Sequence, residues 1–230
     1  MSSPFPGSFS INVAFSDIHG IRWMNAVSSQ IRKYELKARA EKQAETRRRI
    51  VEATLALHQE VGPARTTVAE IARRAGVQRL TVYNHFPNDR ELFDACGEHS
   101  MELNPPPDPS AAFAIENADE RLHAVLGPLY AWYRKNARAT ENLERDRLVL
   151  PALDTVMRIR MDSQFAKLAD ALAAGFALKG RSAKGVRAAV GLALDFWTWR
   201  RLAGEGLSDA DAAALMVSAI RAAAILPSGH

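Results

Sequence analysis

Four side chains whose chemistry matches the edges of bases fall between positions 78 and 84: Gln78, Arg79, Leu80 and Asn84. A guanidinium forks onto guanine, the amides of Gln78 and Asn84 pair with adenine, and Leu80 meets a thymine methyl. Tyr83 and His85 add polar tips of the kind that reach phosphate oxygens. Such a set reads a groove only if one short rigid element holds it together.

The residues before and around Gln78 supply that element. Val68, Ile71, Ala72 and Ala75 recur at steps of three and four, so one face of a two-turn helix is apolar while Glu70, Arg73 and Arg74 point elsewhere. Thr67 and Glu70 form a capping box at its start. Gly76 follows its last apolar residue, where a left-handed backbone costs glycine least. Val77, Thr81 through its methyl, Val82 and Phe86 then give a second short helix an inner face, which leaves the base-matching residues outside. Two helices joined by a tight glycine turn are predicted to be a helix-turn-helix, whose second helix enters the major groove.

Thr66-Thr67-Val68, Ile71-Ala72, Ala75-Gly76-Val77 and Thr81-Val82-Tyr83-Asn84-His85-Phe86 resemble the DNA-binding domain of TetR-type (TetR/AcrR) transcriptional regulators, with the likeness running from about Thr46 to Phe93. The resemblance implies a DNA-contacting set of Thr66, Thr67, Gln78, Arg79, Leu80, Thr81, Tyr83, Asn84 and His85. Two departures limit the transfer. A serine commonly caps the recognition helix in the family, whereas Gln78 stands here. Many members also place a phosphate-touching basic residue after the phenylalanine, where this chain reads Pro87-Asn88-Asp89-Arg90. That contact is not carried over to Asp89, and Arg90 is its candidate replacement.

The chain has 230 residues and 47% apolar content, enough for one large or two modest domains with a real core. Net charge is +4, and between Arg65 and His85 four arginines face one acid, a local balance of 4 − 1 = +3. A single cysteine, Cys96, rules out an internal disulfide and suits a reducing cytoplasm. Cys96 and His99 alone are too few ligands for a metal site, and no metal is expected. No apolar run approaches the roughly 18 to 20 residues of a membrane span, and there is no convincing signal peptide. The expectation is a cytoplasmic, nucleoid-associated protein with no membrane partner.

Residues 1–29, with Pro4, Pro6, Gly7 and Gly20, read as an irregular, flexible extension. Residues 30–103 read as the helix-turn-helix domain with a basic lead-in helix. The lysines and arginines of that helix alternate with Glu35, Glu41 and Glu45, which fits either a solvated face or an arm along the phosphates. Ile50, Ala53, Leu57 and Val61 form the lead-in helix's core stripe, and His58 beside it reads as a packing histidine. Gly62-Pro63 ends the helix. Asn88 and Glu91 cap a fourth helix from about Asp89 to Leu103, and the proline run Pro105-Pro106-Pro107 marks a boundary.

Residues 109–230 read as an all-α bundle. One helix is predicted from Asp119 to about Asn136, then a polar segment from Thr140 to Arg147, then a single six-turn stripe from Leu150 to Leu172. Val186 to Leu202 reads as one helix apolar nearly all round, and Asp209 to Ile225 as an alanine-rich last helix. The last two helices suit a homodimer interface, an expectation that rests mainly on the family resemblance; an intramolecular core is the other reading. Tyr130, Tyr133, Met157, Met161, Phe165 and Trp197 are the candidates for contact with a small apolar effector, though such stripes are also what ordinary core looks like. Only the resemblance to ligand-responsive regulators favours the pocket.

The whole chain is therefore expected to be all-α: an N-terminal three-helix helix-turn-helix DNA-binding domain followed by a helical-bundle ligand-binding and dimerisation domain. Its partners would be double-stranded DNA, itself and an unidentified small-molecule effector, with no cofactor. The resemblance implies a repressor released from a palindromic operator. Two other classes stand beside it. A helical interaction protein with a basic surface would bind an acidic partner, and an enzyme would need a catalytic motif. The sequence contains no phosphate-binding glycine loop, GxSxG elbow, HExxH or metal-spaced cysteine cluster, so no enzyme is expected.

Overall fold

The computed structural model describes the backbone of residues 18–225 and the side chains of residue 30 and residues 32–225. Among these residues there is helix and no strand. The chain divides into two units, residues 1–47 and 48–230.

Helix α1 spans Ile18–Glu60 and crosses that division. It begins twelve residues before the pattern expected from Gln30, because Gly20 lowers helix propensity without stopping a helix; residues 1–17 of the expected extension lie outside the described residues. In the first unit the described side chains from Arg32 to Glu45 are exposed on every side. Lys37 pairs with Glu41 one turn on (3.8 Å), the arrangement that supports a solvated helix.

The second unit contains two apolar clusters. The first gathers Ile50, Val51, Ala53 and Leu57 from the end of α1, Ile71, Ala72 and Ala75 from α2 (Val68–Ala75), Val82 from α3 (Arg79–His85), and Leu92, Ala95 and Cys96 from α4 (Asp89–Leu103). The second is built around α5 (Ala118–Asp146), α7 (Ser163–Ala174), α8 (Gly180–Leu194), α9 (Phe196–Gly204) and α10 (Asp209–Ala224), with α8 and α10 packed side by side.

Three boundaries differ from the sequence pattern, each for a local reason. Helix α5 runs on to Asp146, ten residues beyond Asn136. Its polar C-terminal stretch is not a loop, because its side chains grip the end of α1. Asn142 Nδ2 donates to the carbonyls of His58 (3.1 Å) and Gln59 (3.2 Å), and Arg138 donates to the carbonyl of Glu60. Asp146, 3% exposed, accepts from the Ala64 amide (2.9 Å) in the turn before α2.

The stripe from Leu150 to Leu172 is not one regular helix. Helix α6 (Pro151–Met157) passes through a π turn, Arg158–Asp162, before α7 begins. One residue more per turn shifts the register without ending the helix, so the apolar periodicity survives the interruption.

The third break is at Asp195, which separates α8 from α9 and caps the latter by accepting from the Thr198 amide (2.8 Å). The carbonyls left free where α8 ends are taken up from α5: Tyr130 donates to Ala193 O and Tyr133 to Leu194 O, both at 2.8 Å. Leu192 and Trp197, on either side of this break, are 59% and 44% exposed, so the segment is not buried all round.

Candidate nucleic-acid interface and internal cavity

The helix-turn-helix is held by local chemistry at each joint. The Glu70 amide donates to Thr67 Oγ1 (3.2 Å), which fixes the start of α2. Gly76 lies in the left-handed region (φ 66°, ψ 39°), and the Val77 amide returns to Ala72 O (2.9 Å), so α2 ends in one residue. Val82 and Phe86, 2% and 3% exposed, anchor α3. Gln78 occupies the cap position of α3 without a side-chain hydrogen bond to the helix.

That anchoring turns the other face of α3 outward. Gln78, Arg79, Leu80, Tyr83 and Asn84 are exposed, while Thr81 and His85 are half-buried at its edges. Leu80 is 66% exposed, which is informative because a leucine at that position does nothing for the core. The two leading threonines play different parts. Thr66 donates its hydroxyl proton to Gly62 O (2.9 Å), whereas Thr67 accepts, leaving its own proton available to an outside acceptor. Arg73 and Arg74 are tied to Glu70 and Glu60 respectively.

A cavity of about 820 Å³ lies in the second unit. Leu55, His58, Phe93 and Met101 on one side face Trp132, Leu143, Met157 and Phe165 on the other. It is therefore bounded both by α1 and α4 and by α5, α6 and α7. Of the sequence-derived effector candidates, Tyr133, Met157, Met161 and Phe165 line it. Tyr130 and Trp197 do not: Tyr130 is fully buried and spends its hydroxyl on Ala193, and Trp197 points outward. Tyr133 presents only its ring, since its hydroxyl is also engaged. Burial pushes both phenols above the usual tyrosine value.

The ionisable groups around the cavity are largely satisfied among themselves. Arg147 reaches Asp154, Asp162 and Glu144, Arg160 reaches Asp94 and Glu98, and Arg187 reaches Asp170. Burial pushes Glu144 above the ordinary glutamate value although Arg147 works against it. Arg134 and Arg145 pair with Asp209 and Asp146. His58 is the residue whose place on the wall sequence reasoning missed. Its ring packs tilted against Phe93, with centroids 5.6 Å apart, and burial pushes its pKa down to about 4 against a smaller opposing pull from Asp146. The only signal was a histidine beside an apolar stripe. Among the described residues no group of three His, Cys, Asp or Glu side chains is gathered as a metal site, and no helix is long and apolar enough to cross a membrane.

Residues 50–96, the span that contains this helix-turn-helix, match the family of bacterial regulatory proteins named tetR. Over that segment the chain is similar to TetR-type regulators. It is 31% identical over 134 residues to the HTH-type transcriptional repressor KstR of Mycolicibacterium smegmatis, covering 56% of this chain and 65% of that one. It is 47% identical over 80 residues to the HTH-type transcriptional regulator TtgR of Pseudomonas putida (35% and 36% covered), and 35% identical over 95 residues to the class A tetracycline repressor protein of Escherichia coli (39% and 42% covered). The chain spans less than two thirds of the length of these relatives. Its fold is shared with a tetR-family transcriptional regulator from Streptomyces coelicolor, with a TM-score of 0.54 at 20% identity over 78% of this chain and 80% of the other. A TetR-like regulator from Rhodococcus sp. RHA1 gives 0.53 at 19% identity, over 76% and 93%.

Proposed function

We propose that this protein is a sequence-specific DNA-binding transcriptional regulator, a repressor that leaves a palindromic operator when a small molecule occupies the cavity. The observation that carries the reading is the outer face of α3, where Gln78, Arg79, Leu80 and Asn84 stand exposed on a helix anchored by Val82 and Phe86. Base readout falls to these four residues. Tyr83, His85, Thr67 and the edge residues Thr66 and Thr81 serve the phosphates. Repression is favoured by the relatives whose names say repressor.

A homodimer supplies the second reading helix that a palindrome requires. Leu192 on α8 and Leu215 on α10 are 59% and 48% exposed on adjacent helices, which supports an interface there. The alanines of α10 allow close approach of a second copy. Release is a coupled equilibrium, in which effector and operator weaken each other's binding by the same factor. A cytoplasmic, nucleoid-associated location follows from this reading.

The test is binding to labelled duplex from upstream of the protein's own gene, and to sites selected from random duplexes, titrated with salt and unrelated competitor DNA. Tight binding that survives the competitor is expected. Arg79→Ala should relax base preference at one position at a cost of roughly 1 to 3 kcal/mol, while Tyr83→Phe weakens all sequences alike. Binding lost to any competitor from both sources would favour the reading as an interaction module with a basic surface. Indifference to both substitutions would remove α3 as the reading helix.

A further inference from the structure

The charged groups on the cavity wall already have partners, and of its uncharged polar side chains Ser100 and Thr140 are half-buried while Gln59 and Gln164 are exposed. The three arginines on it, Arg147, Arg160 and Arg187, each hold one or more carboxylates. No cation is left over for an anionic ligand, and the wall also carries the carboxylates of Glu144, Asp162 and Asp195. An acid entering this space would lose its hydration against like charge. Two polar groups on the wall are buried and, among the described residues, make no side-chain hydrogen bond. Trp132 Nε1 is buried and unpaired, and it is covered in this conformation. His58 is 6% exposed, lines the cavity, and has a ring that makes no hydrogen bond among the described residues. A neutral imidazole carries one donor and one acceptor nitrogen, so a hydroxyl satisfies it from either side.

We infer that the cavity takes an uncharged, largely apolar molecule bearing a hydroxyl group, and that the imidazole of His58 is the group that pairs with that hydroxyl. The inference rests on the reading of this cavity as the effector site, and it makes the contact more specific. His58 belongs to the last turn of α1, five residues from the 3-10 turn Pro63–Arg65 that leads into α2. A ligand held by His58 therefore touches the reading domain itself. The backbone carbonyl of the same residue is held by Asn142 from α5 (3.1 Å), so ligand and body meet at one position.

The experiment uses three probes on one skeleton, 4-phenylphenol, biphenyl and biphenyl-4-carboxylate, measured by equilibrium dialysis at pH 7 against the full chain and its variants. The wild type should prefer 4-phenylphenol over biphenyl by about fivefold, the worth of one net hydrogen bond. It should bind the carboxylate about tenfold or more weakly than the phenol. His58→Phe should still bind biphenyl, which shows that the cavity has folded, and should lose the preference for the phenol; His58→Gln, with a donor and an acceptor, should restore part of it. The inference is overturned if the preference is absent in the wild type, if it persists in His58→Phe, if the carboxylate binds tightest, or if no probe binds. Adding operator duplex separates the two readings. Binding of 4-phenylphenol through His58 with no change in DNA affinity would keep the inference and remove the effector role of the cavity.

Discussion

Acid should weaken this protein through His58 before it protonates the bulk of its carboxylates. The imidazole lies against Phe93 with 6% exposure, and burial lowers its pKa to about 4, whereas in the unfolded chain it returns to about 6.5. Between those values the unfolded state binds a proton that the folded state refuses. Stability from this residue is therefore complete above the unfolded value and falls as pH drops from about 6.5 towards about 4. Integrating the two titrations from pH 7 to pH 5 gives a loss of about 2 kcal/mol. With a urea slope of roughly 2 kcal/mol/M, this moves the unfolding midpoint by about 1 M. The assay is urea unfolding at pH 7 and pH 5 for the wild type and for His58→Gln, which fills the site with a group that does not titrate. Other groups contribute to both proteins, so the quantity that matters is the difference between the two pH effects. Equal losses in wild type and variant would refute the reasoning.

Two further perturbations test how the reading domain is joined. Gly76 and Gly62 both have positive φ, 66° and 93°, but a Cβ at Gly76 meets nothing closer than Arg49 Nη1 at 3.8 Å, whereas at Gly62 it collides with the Asp146 carboxylate and Arg145. Gly76→Ala should cost about 1 kcal/mol of backbone strain, and Gly62→Ala distinctly more, read as midpoints of chemical unfolding; equal costs would count against the close approach. Asp146→Ala removes the acceptor of the Ala64 amide and leaves that donor and Arg145 without it, so a loss of roughly 1 to 3 kcal/mol is expected, with Asp146→Asn losing less. Burial opposes ionisation of Asp146, but the hydrogen bonds from Arg145 and the Ala64 amide outweigh it and hold the carboxyl below the usual aspartate value. Its stabilisation is thus present above about pH 4 and lost as pH falls through the lowered value. Variant and wild type should converge in stability at low pH, and a constant gap would argue against an ionic contribution.

The reading domain was legible because its determinants are local. Thr67 with Glu70, Gly76, and Asn88 with Glu91 each act within four residues, and α2, α3 and α4 begin where those signals put them. The second half was legible as helix but not in its breaks. Asp195 looked like one polar residue in an apolar run, and its capping of Thr198 is a short-range signal that the surrounding leucines and tryptophans hid. The grip of α5 on α1 joins residues more than eighty positions apart, and no periodicity reports a carboxylate that serves a distant amide. Tyr130 and Trp197 failed to reach the cavity for a related reason. Residue type suggested a ligand contact, but a phenol that closes a helix end sixty residues away is indistinguishable from one that faces a ligand until the helices are packed.

The same long-range contacts bear on the proposed link between the cavity and α3. Residues 132–146 of α5 supply one wall of the cavity through Trp132, Leu143 and Glu144, and the hold on the end of α1 and the turn after it through Arg138, Asn142 and Asp146. The two sets of contacts interleave on one helix, so under the proposed effector role a displacement of α5 would be felt at Gly62 and Ala64, immediately ahead of α2. Because Asp146 and Asn142 are 3% and 7% exposed, their hydrogen bonds cannot be exchanged for water at little cost. On the proposed reading, the joint would carry a shift of α5 rather than absorb it. Loosening it, as in Asp146→Ala, should leave ligand affinity largely intact while weakening the mutual effect of ligand and DNA on each other's binding.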